Sequence, residues 1–294
     1  MTAGARLWDA LDAAEHEYQY NPQMSVPDFK ASQARREAPN AAARARLRCV
    51  ADIPYGPHEL HSVDVYPSAD AGAPVHMFFH GGYWRMQDKR NFAFIAGTLV
   101  DAGICAVIVN YALCPGVTLD GVVDSAIRAT EWTLRNISDH GGDPSRLTLS
   151  GHSAGAHLGA AILATDWRAR GLAADCVKGA VLISGIYDPA PARRTSVNVD
   201  IRLTEELIAR HDYERRAPTI LCPTWIVAGG REPWHWIDQS FRYAHHLRRH
   251  GGDPAVIVSP GCHHFNIIDQ YLEPDSDIAR AVRAVTSLRG EGRQ

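Results

Sequence analysis

Gly151-His152-Ser153-Ala154-Gly155 places a serine where a strand-like run, Arg146–Ser150, gives way to a small-residue helix pattern, Ala154–Ala164. A strand–turn–helix elbow of this kind holds its serine in a strained turn, and small residues two positions to either side avoid a clash and leave the hydroxyl exposed. The helix N-terminus beneath it favours developing negative charge. A serine hydroxyl is a weak nucleophile unless a base takes its proton and an acid orients that base. In such elbows the chain order is serine, then carboxylate, then histidine. Glu232 follows the apolar run Thr224–Val227 and a Gly229-Gly230 turn, while His263 and His264 follow the run Ala255–Val258. Both loops lie at the carboxyl ends of strands, where open α/β sheets bind ligands. Asp238 competes with Glu232 at this point, although six residues further on and within a helix pattern, and either His263 or His264 could be the base.

Acyl transfer to a serine also needs donors aimed at the tetrahedral oxyanion. His80-Gly81-Gly82-Tyr83-Trp84 follows the run Val75–Phe79, and its glycines let the main chain approach a substrate closely. Backbone N–H groups of Gly81, Gly82 or Tyr83, together with that of Ala154, are the candidate oxyanion hole. Trp84, Tyr187, Trp234 and Trp236, with Tyr83, are candidates for an aromatic substrate pocket. Arg85, Arg193, Arg194 and Arg202 could pair a substrate carboxylate, or be ordinary solvated charges. The pair His245-His246 falls in a helix pattern and lacks metal-ligand spacing, so no metal and no cofactor is expected.

The elements that must position these groups are legible as alternating periodicities. Apolar runs at 61–66, 75–79, 104–109, 147–149, 180–183, 224–227 and 255–258 alternate with helix patterns at 91–102, 120–138, 154–164, 236–250 and 275–288. Near-continuous apolar strands separated by helices predict a mainly parallel sheet covered on both faces. Two further helices are expected at 6–20 and 28–48. The polar stretch 186–218, with Pro189, Pro191 and a helix at 203–211, interrupts the rhythm and reads as a lid over the active-site rim.

The 294 residues would allow one domain or two, and a 46% hydrophobic content is enough for a sizeable core. Thirty basic against 33 acidic side chains give a net charge of −3, with no global field for nucleic acid or an anionic membrane. Six scattered cysteines form no CxxC pair and suit reduced thiols. The first residues, Met1–Asp9, lack a charged segment followed by an apolar one, and no run reaches 18 apolar residues, so a cytoplasmic location is expected.

His80-Gly81-Gly82-Tyr83-Trp84, followed by Asp88-Lys89 and Phe92, resembles the HGGxW…DK…F signature of kynurenine formamidases (arylformamidases), relatives of hormone-sensitive-lipase-like esterases. Tyr20-Asn21-Pro22, Val26-Pro27, Tyr55-Gly56, Val63–Tyr66, Tyr111-Ala112-Leu113, Ser184–Asp188 and Val197-Asn198 are similar to further family segments, so the resemblance spans most of the chain. It implies an α/β-hydrolase fold with a mainly parallel eight-stranded sheet, an N-terminal helical arm over 1–48 and a catalytic domain over 49–290 with the lid inside it. It selects Glu232, ahead of Trp236 and Gln239-Ser240, as the acid, and His264, in His264-Phe265-Asn266-Ile267-Ile268, as the base. Pro233-Trp234-His235 and the segment 208–218 depart from the family pattern and are expected to reshape the pocket. The implied activity is hydrolysis of a small N-formyl or N-acyl aromatic amine through an acyl-serine, with short-chain ester hydrolysis as the alternative and a non-catalytic ligand receptor as a remote one. A small aromatic amide or ester is the expected partner, and association into a homo-oligomer is left open.

Overall fold

The architecture follows from eight strands, the central ones apolar on both faces. In the computed structural model, which describes residues 6–287, these are β1 (Val50–Pro54), β2 (Ser62–Tyr66), β3 (Ala73–Phe79), β4 (Cys105–Val109), β5 (Gly142–His152), β6 (Gly179–Ile183), β7 (Thr224–Gly229) and β8 (Ala255–Ser259). They form one sheet in the order β1-β2-β4-β3-β5-β6-β7-β8. The pairs β1–β2 and β2–β4 are antiparallel and every pair from β4 to β8 is parallel. Alternate residues of a strand enter opposite cores. Met77 and Phe79 join one core, and Phe78 between them joins the other.

Eleven helices cover the described residues: α1 (Ala13–Tyr20), α2 (Pro22–Ser25), α3 (Phe29–Ala34), α4 (Glu37–Arg46), α5 (Ala93–Asp101), α6 (Leu119–Asn136), α7 (Ala154–Leu163), α8 (Asn198–Ile201), α9 (Glu205–His211), α10 (Trp234–Arg249) and α11 (Asp277–Thr286). Helices α6, α7 and α10 pack on the first core, and α5 and α11 on the second. The segment 186–218 also packs inward. Ile186, Ala192, Val197, Leu203, Leu207 and Tyr213 are buried in the first core, so its polar sequence conceals an apolar inner face.

Three expectations need correction. Strand β1 was not among the apolar runs, because it is a half-exposed edge strand with a register irregularity between Val50 and Ile53 and with Asp52 at φ 54°. The first helix starts at Ala13, where the Asp12 carboxylate accepts the Glu15 N–H at 2.9 Å. The helix expected over 28–48 is broken at Arg35-Arg36. Pro39 has no N–H to give the Arg35 carbonyl, so it fits only the first turn of a new helix. Residues 288–290, the ends of the expected last helix and catalytic domain, and residues 1–5 of the expected arm lie outside the described residues.

Strand register decides where the chemistry can sit. Phe79 pairs with Gly151, His152 with Ile183 and Gly229 with Ser259, so five parallel strands end together. The loops that leave them begin at His80, Ser153, Ser184, Gly230 and Pro260. No helix of the described residues is long and apolar enough to cross a membrane.

Candidate active site

Ser153 stands between β5 and α7 at φ 56° and ψ −118°, a conformation disfavoured for an L-residue. Its N–H is held by the Ile183 carbonyl at 2.8 Å. The turn closes only because its flanks are small. A Cβ on Gly155 would lie 2.0 Å from the Phe79 carbonyl oxygen, and one on Gly151 would lie 2.1 Å from that of Gly155.

The loops after β7 and β8 bring Glu232 and His264 to this serine. His264 Nε2 lies 3.0 Å from Ser153 Oγ, and its Nδ1 lies 2.6 Å from Glu232 Oε1. An ionised carboxylate only accepts, so Nδ1 carries the hydrogen and Nε2 is free to accept from the serine. All three side chains are buried. Glu232 Oε2 accepts from the Gly229 N–H at 2.7 Å and from Ser184 Oγ at 2.8 Å. His152 Nε2–H donates to the His264 carbonyl at 2.8 Å, which fixes the base loop from behind. Burial, reinforced by the neighbouring His264, holds His152 well below the ordinary histidine range, so it is a neutral donor.

Asp238 and His263 sit elsewhere. Asp238 pairs with Arg242 one turn along α10. His263 Nδ1 accepts from the N–H groups of Phe265 and Asn266, at 3.1 and 3.2 Å, and so organises the turn that carries His264.

The loop after β3 is preorganised. Tyr111 Oη donates to the His80 carbonyl at 2.7 Å, and the His80 ring is stacked on Tyr111 with centroids 4.3 Å apart. Gly82 takes φ 114°, where a Cβ would meet the Met86 carbonyl oxygen at 2.2 Å. Tyr83 and Trp84 follow at φ 53° and 58°. Among the described residues the N–H groups of Gly82 and Tyr83 have no internal acceptor. Ala154 is the first residue of α7, and its N–H has none within the helix. Gly81 packs on the elbow, its missing Cβ 3.1 Å from that of Ser153.

A cleft partly open to solvent meets Ser153 and His264. Its walls are Gly81, Gly82 and Tyr83 on one side and Phe265 and Ile268 on the other. The N-terminal helices close it with Asn21, Pro22, Gln23, Gln33 and Arg36. Sequence reasoning put Trp84, Tyr187, Trp234 and Trp236 around the substrate, and none of the four lines this cleft. Trp84 and Tyr187 are wholly buried, Tyr187 stacked on Tyr243 at 4.1 Å. Trp236 packs edge-on against the back of His264, with centroids 4.8 Å apart. Trp234 is 79% exposed, because it opens α10 on the outer side while its neighbour His235 turns in to bond Tyr20 Oη at 3.0 Å. Arg193 pairs with Glu205, and Arg194 reaches the carbonyls of Trp8 and Leu11. Of the four arginines proposed for a carboxylate, Arg85 alone lines the cleft.

Two contributions were missed. Ser184, at φ 47° after β6, braces the acid, and its signal was a Ser-Gly pair at the end of an apolar strand. The arm's share of the cleft had no local signal, since Arg36 comes to the site through long-range contacts with Asp269 and the Phe265 carbonyl. Among the described residues no group of three or more His, Cys, Asp or Glu side chains is arranged to hold a metal ion.

The parallel sheet, the serine elbow and the hydrogen-bonded Ser–His–Glu chain together define the class of α/β-hydrolases, and the α/β-hydrolase fold family matches residues 76–267. The kynurenine formamidase of Danio rerio is 31% identical over 279 residues, covering 90% of this chain and 94% of that protein. This chain therefore belongs to the kynurenine formamidase family of α/β-hydrolases, and it is an arylformamidase-like hydrolase. Esterase LipQ of Mycobacterium tuberculosis is 37% identical over 115 residues, 37% of this chain and 27% of that protein. Among solved structures, the carboxylesterase EstE1 from a metagenomic library superposes with a TM-score of 0.66 at 20% identity, covering 91% of this chain and 97% of that one.

Proposed function

We propose that the chain hydrolyses a small N-formyl or N-acyl aromatic amine through an acyl-enzyme on Ser153. The observation that carries this reading is the unbroken Ser153–His264–Glu232 chain opening onto a narrow, partly aromatic cleft. Ser153 Oγ attacks the carbonyl carbon while its proton passes to His264 Nε2, and Glu232 stabilises the imidazolium. The carbonyl oxygen, now an oxyanion, takes the N–H groups of Gly82 or Tyr83 and of Ala154; one such donor is worth roughly 10²–10³ in rate. Collapse breaks the C–N bond as His264 returns its proton to the departing nitrogen, leaving an acyl-serine. Water then attacks the acyl carbon as His264 takes its proton, and collapse breaks the bond to Ser153 Oγ, which receives that proton from His264 as the carboxylic acid leaves.

Turnover of N-formylkynurenine, N-formylanthranilate and p-nitrophenyl acetate tests this. Formamide hydrolysis lost on Ser153→Ala is expected, and ester turnover without formamide turnover would sink it. Ester hydrolysis is the second reading, favoured by the likeness to esterase LipQ over the stretch the two share. Fluorophosphonate labelling separates both from a non-catalytic receptor, which would leave Ser153 unlabelled. We also infer a cytoplasmic setting, supported by six unpaired thiols.

A further inference from the structure

Arg85 leaves the oxyanion loop and reaches the lid. Its N–H closes a turn onto the Gly82 carbonyl at 3.1 Å, and its Nη1 donates to Asp200 Oδ2 on α8 at 2.7 Å. Its Nε is buried and has no acceptor among the described residues. In a guanidinium, Nε and Nη2 form one edge, a fork that takes a carboxylate through two parallel hydrogen bonds. Asp200 holds Nη1, off that edge, so the head is pinned while the Nε–Nη2 edge has no acceptor among the described residues. A buried, charged donor without an acceptor is costly, and a ligand that supplies one is favoured accordingly.

The rest of the cleft agrees with an anionic guest. Arg85 and Arg36 are charged residues on its lining, which holds no aspartate or glutamate; their partners Asp200 and Asp269 stand behind them, off the lining. Arg36 is already committed, since its Nε and Nη2 serve Asp269 and the Phe265 carbonyl. The unpartnered guanidinium edge in the cleft that holds Ser153 is therefore that of Arg85.

We propose that Arg85 determines specificity by binding a carboxylate on the substrate, so that the preferred substrates are anionic N-acyl aromatic amines and not neutral anilides. This rests on the amide-hydrolase reading above. A carboxylate on the Arg85 fork lies beside the turn that presents the Gly82 and Tyr83 N–H groups, so one loop both recognises the charge and receives the oxyanion.

The test is the ratio of kcat/KM for 2-, 3- and 4-formamidobenzoate to that for formanilide, measured for the native chain, Arg85→Ala and Arg85→Lys. The native chain should prefer at least one acid over the neutral anilide. Arg85→Ala should reduce that ratio by about 10- to 100-fold, mainly through KM, since a hydrogen-bonded charge pair is lost. Arg85→Lys should recover only part of it, because the charge returns without the fork. A native chain without preference for the acids, or an Arg85→Ala variant that lowers acid and anilide alike, overturns the proposal. The same ratio taken with acetoxybenzoates against phenyl acetate keeps the two questions apart. Absent formamide turnover counts against the amide reading, whereas an unchanged ratio in the turned-over series counts against Arg85.

Discussion

Ser184 Oγ donates to Glu232 Oε2 at 2.8 Å, on the carboxylate oxygen that His264 does not use. The serine is itself held twice, its N–H by the Val227 carbonyl at 2.7 Å and its carbonyl by Trp236 Nε1 at 3.1 Å. The carboxylate is thus fixed in rotation before the base needs it. Ser184 touches no substrate and acts as a positioning residue. Ser184→Ala leaves Oε2 with the Gly229 N–H alone and should lower kcat by about 5- to 30-fold, with little change in KM. With one donor gone, Glu232 holds the imidazolium more strongly, so the acid limb of the kcat/KM profile should move to higher pH. Ser184→Thr, which keeps the hydroxyl, should recover most of the rate. An unmoved profile would reduce Ser184 to packing.

The two candidate acids differ in what they touch. Glu232 bonds the base, while Asp238 is paired with Arg242 and is partly exposed. Glu232→Gln keeps the shape, removes the charge that stabilises His264 and should cost about 10⁴ in kcat. Asp238→Asn breaks a half-exposed helix pair worth about 0.3–0.5 kcal/mol and should leave kcat/KM within experimental error. Steady-state rates on one good substrate decide it, and comparable losses in both variants would mean the acid has been misassigned.

The two tryptophans that open α10 make the same kind of contrast. Trp236→Ala removes a buried ring from behind His264 and should destabilise the chain by about 3–5 kcal/mol while lowering kcat. Trp234→Ala changes an exposed side chain and should shift stability by less than about 0.5 kcal/mol. Denaturant melts of both variants check this. A large activity loss in Trp234→Ala would show that this residue meets the substrate after all.

What the sequence revealed and what it hid divide along the range of the forces involved. The elbow, the acid and the base each occupy a strand-to-loop junction, and such junctions are marked locally by an apolar run and a glycine turn. Sheet register then brings them together without further instruction, as the pairing of Gly229 with Ser259 does for the loops carrying Glu232 and His264. The cleft lining has no such mark. Tyr187 and Trp236 look like pocket aromatics by composition, yet they serve the core. Arg36 looks like one more charge on an alanine-rich helix, yet it reaches across to Asp269 and Phe265. Both outcomes depend on contacts with segments far away in sequence, so no local pattern encodes them. Ser184 lies between these cases: its junction was visible, but its bond to Glu232 requires knowing which strands are neighbours.

Buried histidines give the fold a predictable response to acid. Burial pushes His76, His80 and His157 down to about 3, about 4 and about 3, and His152 also lies well below its ordinary value. Unfolded, each titrates near ~6.5, so below that pH the unfolded chain binds more protons and stability is lost as pH falls toward the folded values. Three carboxylates, Asp188 and Asp212 buried and Glu214 largely so, act in the opposite sense. Burial raises Asp188, raises Asp212 to about 6 and raises Glu214 to about 7, so the folded chain binds their protons more readily and gains stability as pH falls toward ~4.5. The two effects nearly offset near neutrality, where the carboxylates take up protons first. Below about pH 5 the carboxylate gain is running out while the histidines continue to lose, because their folded values lie lower still. The Tm should therefore change little around pH 7, begin to fall as pH passes below about 6.5 and drop most clearly below 5. Glu214→Gln should remove part of the opposing gain and steepen the loss of Tm between pH 7 and 6. Thermal melts followed by circular dichroism from pH 8 to 4 measure both, and a Tm that keeps rising down to pH 4.5 would show that the histidines are not held neutral.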